Sequence, residues 1–208
     1  MKMKEEIKLK KVFGERRVVG LAGEKSSGKT NNLMDLIKEF RDKNKTTPIC
    51  VYGLDVVTLE WIKKLGNVTE VNSVEQMSNK KDNLIIIDEF QRLNLNDRRY
   101  RQVLNQFVDF IYHRNNWVIL SSPSLREFNS VIGGKIERWA IKSIKLSELI
   151  NGSQLKQKVI DYKGRFKSIN DIRMPKDTLL VLDDEEEVIL KLNYIKEIDT
   201  KRFHKDIF

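Results

Sequence analysis

The 208-residue chain contains one cysteine, Cys50, so no disulfide can form within it. Cys50 sits in the apolar run Ile49-Cys50-Val51-Tyr52, where a reduced, buried thiol is expected. No apolar stretch reaches the roughly 18 residues of a membrane-spanning helix, and the opening Met1-Lys2-Met3-Lys4-Glu5-Glu6 lacks the apolar segment of a secretory signal. A cytoplasmic protein with no membrane contact is therefore expected, and the glycosylation sequons at Asn67 and Asn151 are coincidental. Internal repeats and low-complexity linkers are missing too. With 40% hydrophobic and 33% charged residues, the composition is that of a folded chain, long enough for one substantial α/β domain or a domain with a small appendage.

What is present begins with Gly23-Glu24-Lys25-Ser26-Ser27-Gly28-Lys29-Thr30, which fits G-x-x-x-x-G-K-[ST]. Residues 17–22 before it read as a short buried strand. After it, Leu33, Met34, Ile37 and Phe40 recur at helical spacing. A strand, a glycine loop and a helix N-terminus make an anion site, because successive backbone N–H groups converge there and the helix dipole favours negative charge. All eight residues are candidate nucleotide contacts. Gly23 and Gly28 allow the close backbone approach, Lys29 is expected to reach the β- and γ-phosphates, and the Thr30 hydroxyl to ligate Mg²⁺.

The second informative stretch is Asn83-Leu84-Ile85-Ile86-Ile87-Asp88-Glu89-Phe90. Four consecutive aliphatics predict a strand buried on both faces, as in a parallel sheet covered by helices. Two carboxylates follow at its carboxyl end, the edge where such sheets bind ligands. Asp88 is placed to hold Mg²⁺, and Glu89 to orient and deprotonate the water that attacks a γ-phosphate. Asn79-Lys80-Lys81-Asp82 spells the guanine-reading motif of GTPases, but it precedes the acidic strand, and no D-x-x-G occurs at Asp88. It is read as a polar loop.

The remaining elements follow from periodicity and breakers. Residues 1–16, with Ile7, Leu9 and Val12, suggest an edge strand or a short arm. Strands are expected at 48–53 and 68–71, helices at 58–65 and 73–77, and an amphipathic helix at 97–114 whose polar face carries Arg98, Arg99, Arg101, Gln102, Asn105 and Gln106. Residues 117–123 read as another buried strand, with Ser121-Ser122 at its end ahead of Pro123. A helix follows to about Ile132, and 136–144 reads as one more strand. Farther on, Asn151-Gly152 marks a turn, 159–166 a hairpin and 177–183 a strand, while Asp184-Glu185-Glu186-Glu187 reads as a solvated acidic turn. Residues 1–145 are taken as the core and 146–208 as an elaboration of the same domain.

Charge is uneven. Of the net +9, residues 91–176 carry 17 Lys/Arg against 7 Asp/Glu, while 49–90 and 177–208 are acidic. A concentrated basic region attracts polyphosphate partners such as DNA. A merely solvated lysine-rich surface is the plainer alternative.

With the phosphate loop, the Asp-Glu pair and the serine-ended strand, residues 18–145 resemble the P-loop ATPases of the additional-strand, catalytic-glutamate division, and in particular the small ATPases of viruses and plasmids. Two groups are similar: the FtsK/HerA-type packaging ATPases and the AAA+-like ATPases of archaeal viruses, whose layout the section from Trp117 onward resembles. The resemblance implies a three-layer α/β fold with a mainly parallel sheet of order 5-1-4-3-2, and ATP with Mg²⁺ as cofactors. It also implies a small polar residue sensing the γ-phosphate at the end of the strand between the other two motifs. Ser121 and Ser122 both fit, as does a plain turn, and Ser122 is favoured. Further implications are a homo-oligomeric ring around DNA and an arginine finger from the neighbouring subunit, for which Arg126, Arg138, Arg98, Arg99 and Arg101 are candidates. A DNA-translocating or genome-packaging motor is the leading expectation, with a capsid or replication protein as a possible partner. An initiator or helicase-loading switch and a nucleotide-stabilised scaffold are the alternatives. No helix-turn-helix or zinc module accompanies the core.

Overall fold

Leu84, Ile85, Ile86 and Ile87 set the architecture, for each is fully buried and successive side chains enter opposite layers. Leu84 and Ile86 join a cluster with Leu9, Phe13, Leu33, Ile37 and Phe40, while Ile85 and Ile87 join Met77, Leu104, Phe107, Ile111 and Phe128. Burying such side chains contributes about 2 kcal/mol each. The strand therefore anchors helices on both faces, which makes the molecule three-layered.

The computed structural model describes residues 8–93, 98–129, 132–145, 171–182 and 187–198. Its strands are β1 (Val18–Ala22), β2 (Ile49–Tyr52), β3 (Val68–Glu70), β4 (Leu84–Ile87), β5 (Trp117–Ser122), β6 (Arg138–Ile141), β7 (Ser143–Lys145), β8 (Asp171–Arg173), β9 (Thr178–Leu182) and β10 (Glu187–Lys191). Eight of them form one sheet in the order β10-β9-β6-β1-β5-β4-β2-β3, and β7 pairs with β8 apart from it. The expected 5-1-4-3-2 core is the parallel run β6-β1-β5-β4-β2. β3 extends it at one edge, and the antiparallel β9 and β10 extend it at the other. The helices are α1 (Lys8–Phe13), α2 (Lys29–Lys43), α3 (Val56–Lys63), α4 (Val74–Ser78), α5 (Arg98–His113) and α6 (Leu125–Asn129).

Two local expectations are corrected. Within the N-terminal stretch, residues 8–13 are helical, where an edge strand or a short arm was expected. Leu9, Val12 and Phe13 recur at helical spacing, and all three are buried in the layer that holds α2. The strand expected over 136–144 breaks at Lys142, whose backbone N–H still bonds Ala22 O at 2.8 Å while its side chain is fully buried. The chain then leaves the main sheet, and Ser143–Lys145 pairs with β8. The turn at Asn151-Gly152, the hairpin at 159–166 and the acidic run at 184–186 lie outside the described residues.

Gly53, just after β2, packs against the backbone of Asp88, the residue that follows β4. Its φ is +79°, and a Cβ there would lie 2.2 Å from the Asp88 carbonyl oxygen. Both objections are to backbone, which cannot swing away. Gly53→Ala should therefore destabilise the fold by about 3 kcal/mol, combining overpacking with left-handed strain. Urea unfolding would measure it, and a loss below about 1 kcal/mol would contradict the close approach.

Candidate active site

β1, β5 and β4 run parallel, so their carboxyl ends share one edge. Ala22 is level with Ser122, and Leu120 with Ile87. The next residues, Gly23 and Asp88, thus emerge at the same edge on either side of β5, with Asp88 level with Ser121. Gly23 N donates to Ser122 O at 3.2 Å, tying the loop to β5.

The loop turns into α2 at Gly28, whose φ of +95° belongs to the left-handed region. As the N-cap residue it brings no side-chain cap to the helix. The first-turn amides of α2 thus point at the cleft with the positive end of the helix dipole. Other residues brace the loop. Glu24 N donates to Ser143 Oγ at 2.8 Å, Ser27 N to Glu24 O at 3.2 Å, and Arg173 Nη2 to Glu24 Oε2 at 3.1 Å. Lys25, Ser26, Gly28, Lys29, Thr30 and Glu89 contribute to the lining of a cleft of about 350 Å³, a volume in the range of small-ligand sites.

Lys29 is 7% exposed, with Nζ donating to Gly23 O at 2.5 Å and Glu24 O at 3.2 Å. Burial pushes its pKa down, and the carboxylates of Asp88 and Glu89 oppose that shift. Thr30 Oγ1 donates to Asp88 Oδ2 at 3.0 Å, joining the two residues expected to share a metal. Asp88 is 5% exposed. Burial pushes its carboxyl pKa up, against the hydroxyl hydrogen bonds of Ser121 and Thr30 and the charge of Lys29. A hydroxyl and a carboxylate at the mouth of a phosphate loop suit Mg²⁺, which takes few protein oxygens and completes its shell with water and phosphate oxygens.

The two serines separate. Ser121 Oγ donates to Asp88 Oδ1 and accepts from Glu89 N at 3.2 Å, whereas Ser122 Oγ accepts only a turn amide, Ser124 N, at 3.3 Å. Ser121 thus contacts the acidic pair, and Ser122 shapes the turn. Glu89 stands in the left-handed region at φ 47°, with its side chain ion-paired to Arg92.

Sequence reasoning overlooked three features here. Arg92 lies one 3-10 turn past Glu89, Arg173 pairs with Glu24, and the buried Lys142 packs behind the loop, donating to Pro175 O and, at 2.8 Å, Thr178 O. Burial pushes the Lys142 ammonium down to about 8. Its surplus of charge over apolar neighbours was visible in the sequence only as a lysine inside a strand.

Among the arginine-finger candidates, Arg138 is excluded. It opens β6 level with Val19, near the amino end of β1 and away from the loop, and its side chain is 2% exposed against Gly14. Arg98, Arg99 and Arg101 lie exposed in the first turn of α5. The Arg126 side chain lies outside the described residues.

No family model and no curated protein matches the chain. Solved structures do. The chain superposes with a TM-score of 0.58 on B204, the DNA-packaging ATPase of Sulfolobus turreted icosahedral virus, at 14% identity, covering 86% of this chain and 98% of that one. ATPases 2 and 3 of EccC from Thermomonospora curvata, in complex with a signal sequence peptide, give 0.62 at 11% identity, covering 88% of this chain and 38% of theirs. The pCW3 conjugation coupling protein TcpA gives 0.52 at 9% identity, covering 89% and 62%. The likeness is one of fold: the chain has the P-loop ATPase fold with the additional strand, β5, between the loop strand and the acidic strand.

Proposed function

We propose that the protein is a Mg²⁺-dependent ATPase that drives movement of DNA in a virus or mobile element, most plainly translocation or genome packaging. The observation that carries the catalytic half is the hydrogen-bonded set Thr30–Asp88–Ser121 beneath the phosphate loop, with Glu89 at the lip of the same cleft. Gly23 through Thr30 hold the phosphates, and Lys29 neutralises charge that develops on the β- and γ-phosphate oxygens. Thr30 and Asp88 would hold Mg²⁺, which supplies Lewis-acid neutralisation of the phosphoryl oxygens. Glu89 orients the attacking water and accepts its proton. Ser121, bonded to Asp88 and the Glu89 amide, keeps the two acids in register. Its replacement by alanine should cost about tenfold in turnover, the scale of a hydrogen bond to a charged group. Ser122→Ala should change turnover by less than about threefold, and the reverse ranking would return the sensing role to Ser122.

The fold alone does not choose the cargo, since one neighbour is a DNA-packaging ATPase and another is bound to a signal peptide. Charge supports DNA: the basic excess lies in 91–176, and Arg98, Arg99 and Arg101 are exposed together on α5. We infer a ring of identical subunits acting on DNA, with the finger arginine drawn from α5 or α6. The test is steady-state ATP hydrolysis with and without DNA at low and high salt. Stimulation by DNA that salt suppresses is the expected result. Hydrolysis indifferent to DNA but raised by a basic peptide would move the cargo to protein. Tight ATP binding with no turnover in any condition would favour a nucleotide-stabilised scaffold.

A further inference from the structure

The walls of the cleft differ in chemistry. Its floor is the phosphate loop, and Asp55, Thr58 and Glu89 make a polar side. Among the described residues that line it, only Tyr194 and Ile198 offer an apolar side chain, and both come from the stretch after β10. We propose that residues 192–198 form the base-binding wall of the nucleotide pocket, with Tyr194 as the ring on which the nucleobase stacks and Asn31 as the residue that positions it. The proposal rests on the nucleotide reading above and names the subsite for the end of the molecule that reading leaves unplaced.

The two ends of a nucleoside triphosphate ask for different surroundings. The polyphosphate takes the amide-lined floor, with its terminal phosphate toward Asp88 and Glu89. The base is flat and weakly polar, and gains most from an aromatic face and aliphatic cover. Tyr194 lines the cleft and is 38% exposed, so its side chain is not sunk in the core.

The wall is locked to the helix that carries Thr30. Asn31 Nδ2 donates to Ile195 O at 2.7 Å, and Ile195 N donates back to Asn31 Oδ1 at 2.9 Å. One residue on, Asn32 Nδ2 donates to Lys176 O at 2.9 Å. One turn later, Asp35 accepts from Asn193 N at 2.9 Å and from Asn193 Nδ2 at 3.2 Å. Asn31 and Asn32 are 7% and 0% exposed. Asparagine is a poor helix former, and burying its amide is costly. Both ends of the Asn31 amide are bonded to Ile195, whereas Asn32 uses Nδ2 on Lys176 O and its Oδ1 is buried without a partner among the described residues. Asn31 inside α2 makes sense as a docking point for residues 192–198, while Asn32 holds the turn before β9 at Lys176. The wall is thereby set before the base arrives, which lowers the ordering cost of binding.

The experiment compares equilibrium binding of ATP and of inorganic tripolyphosphate, each with Mg²⁺, to the full chain and its variants. Tyr194→Ala should weaken ATP about tenfold or more, the scale of one base–aromatic stack, and change tripolyphosphate by less than about twofold. Tyr194→Phe should keep ATP affinity within about twofold of wild type. Asn31→Ala should follow Tyr194→Ala, because it releases the wall and leaves the floor. Unchanged ATP affinity in Tyr194→Ala, or an equal loss for ATP and tripolyphosphate, would overturn the proposal while the phosphate site stands. A wild-type chain that binds neither ligand would overturn the nucleotide reading, and this proposal with it.

Discussion

Replacing Glu89 with glutamine should leave ATP bound and reduce its hydrolysis by about 10²–10⁴-fold, the contribution of a positioned general base. The residue is held at its post by backbone contacts that glutamine keeps. Its N–H donates to Asp88 Oδ1 at 3.1 Å and to Ser121 Oγ at 3.2 Å. Its φ of 47° places it in a region that costs a non-glycine residue about 1–2 kcal/mol. The strand would not end in that conformation without compensation, and those bonds supply it. Glutamine matches glutamate in volume, so the lip of the cleft is unchanged, but it cannot take a proton from water. The Arg92 ion pair does not alter the expectation. Its arginine is 60% exposed, and pairs of that kind contribute less than about 1 kcal/mol, a small part of a catalytic barrier. Single-turnover hydrolysis together with equilibrium ATP binding separates the two effects. If Glu89→Gln kept more than about a tenth of the wild-type rate, the base would have to be sought elsewhere. Among the described residues, Asp55 is the other carboxylate that lines the cleft, and it already accepts from Thr58 N and Oγ1 as the cap of α3.

Much of this site was legible because it is local. The loop residues 23–30 and the acids 88–89 lie in two short stretches, and strand and helix periodicity around them is enough to put both on one sheet edge. What escaped was non-local. Ser121 and Ser122 are equivalent by composition. Only the pairing of Leu120 with Ile87 brings the former level with Asp88, and register is a property of two strands. Arg138 looked like a free arginine beyond β5, yet it begins β6 at the edge remote from the loop. Nothing in the sequence singles out Asn31 and Asn32, because their partners, Ile195 and Lys176, lie well over a hundred residues away. The α1 helix was missed for the opposite reason: its described part, Lys8–Phe13, is under two turns long, and Ile7 and Leu9 mimic strand alternation.

Asp88→Asn should separate stability from function in the opposite sense to most active-site losses. The Asp88 carboxylate is nearly fully buried, and burial raises its pKa above the unfolded value of about 3.9. A group raised in this way stabilises the fold below the unfolded pKa and loses that contribution as pH rises through the folded one. At neutral pH the ionised form is therefore kept at a cost. Asparagine removes the charge, still accepts from one hydroxyl through its carbonyl, and can donate to the other, since Ser121 and Thr30 both rotate. Without nucleotide, the variant should melt at or above the wild-type temperature. With Mg²⁺ and ATP the order should reverse. The wild type gains stability by binding, whereas the variant offers Mg²⁺ a neutral amide in place of a carboxylate and gains less. Hydrolysis should fall at least about 100-fold, the scale of losing a ligand from a phosphoryl-transfer metal site. Thermal unfolding measured in both conditions reads the two halves in one titration. A variant that melts well below wild type without ligand would make Asp88 a structural carboxylate. One that gains as much from Mg²⁺ and ATP as wild type would remove it from the metal site.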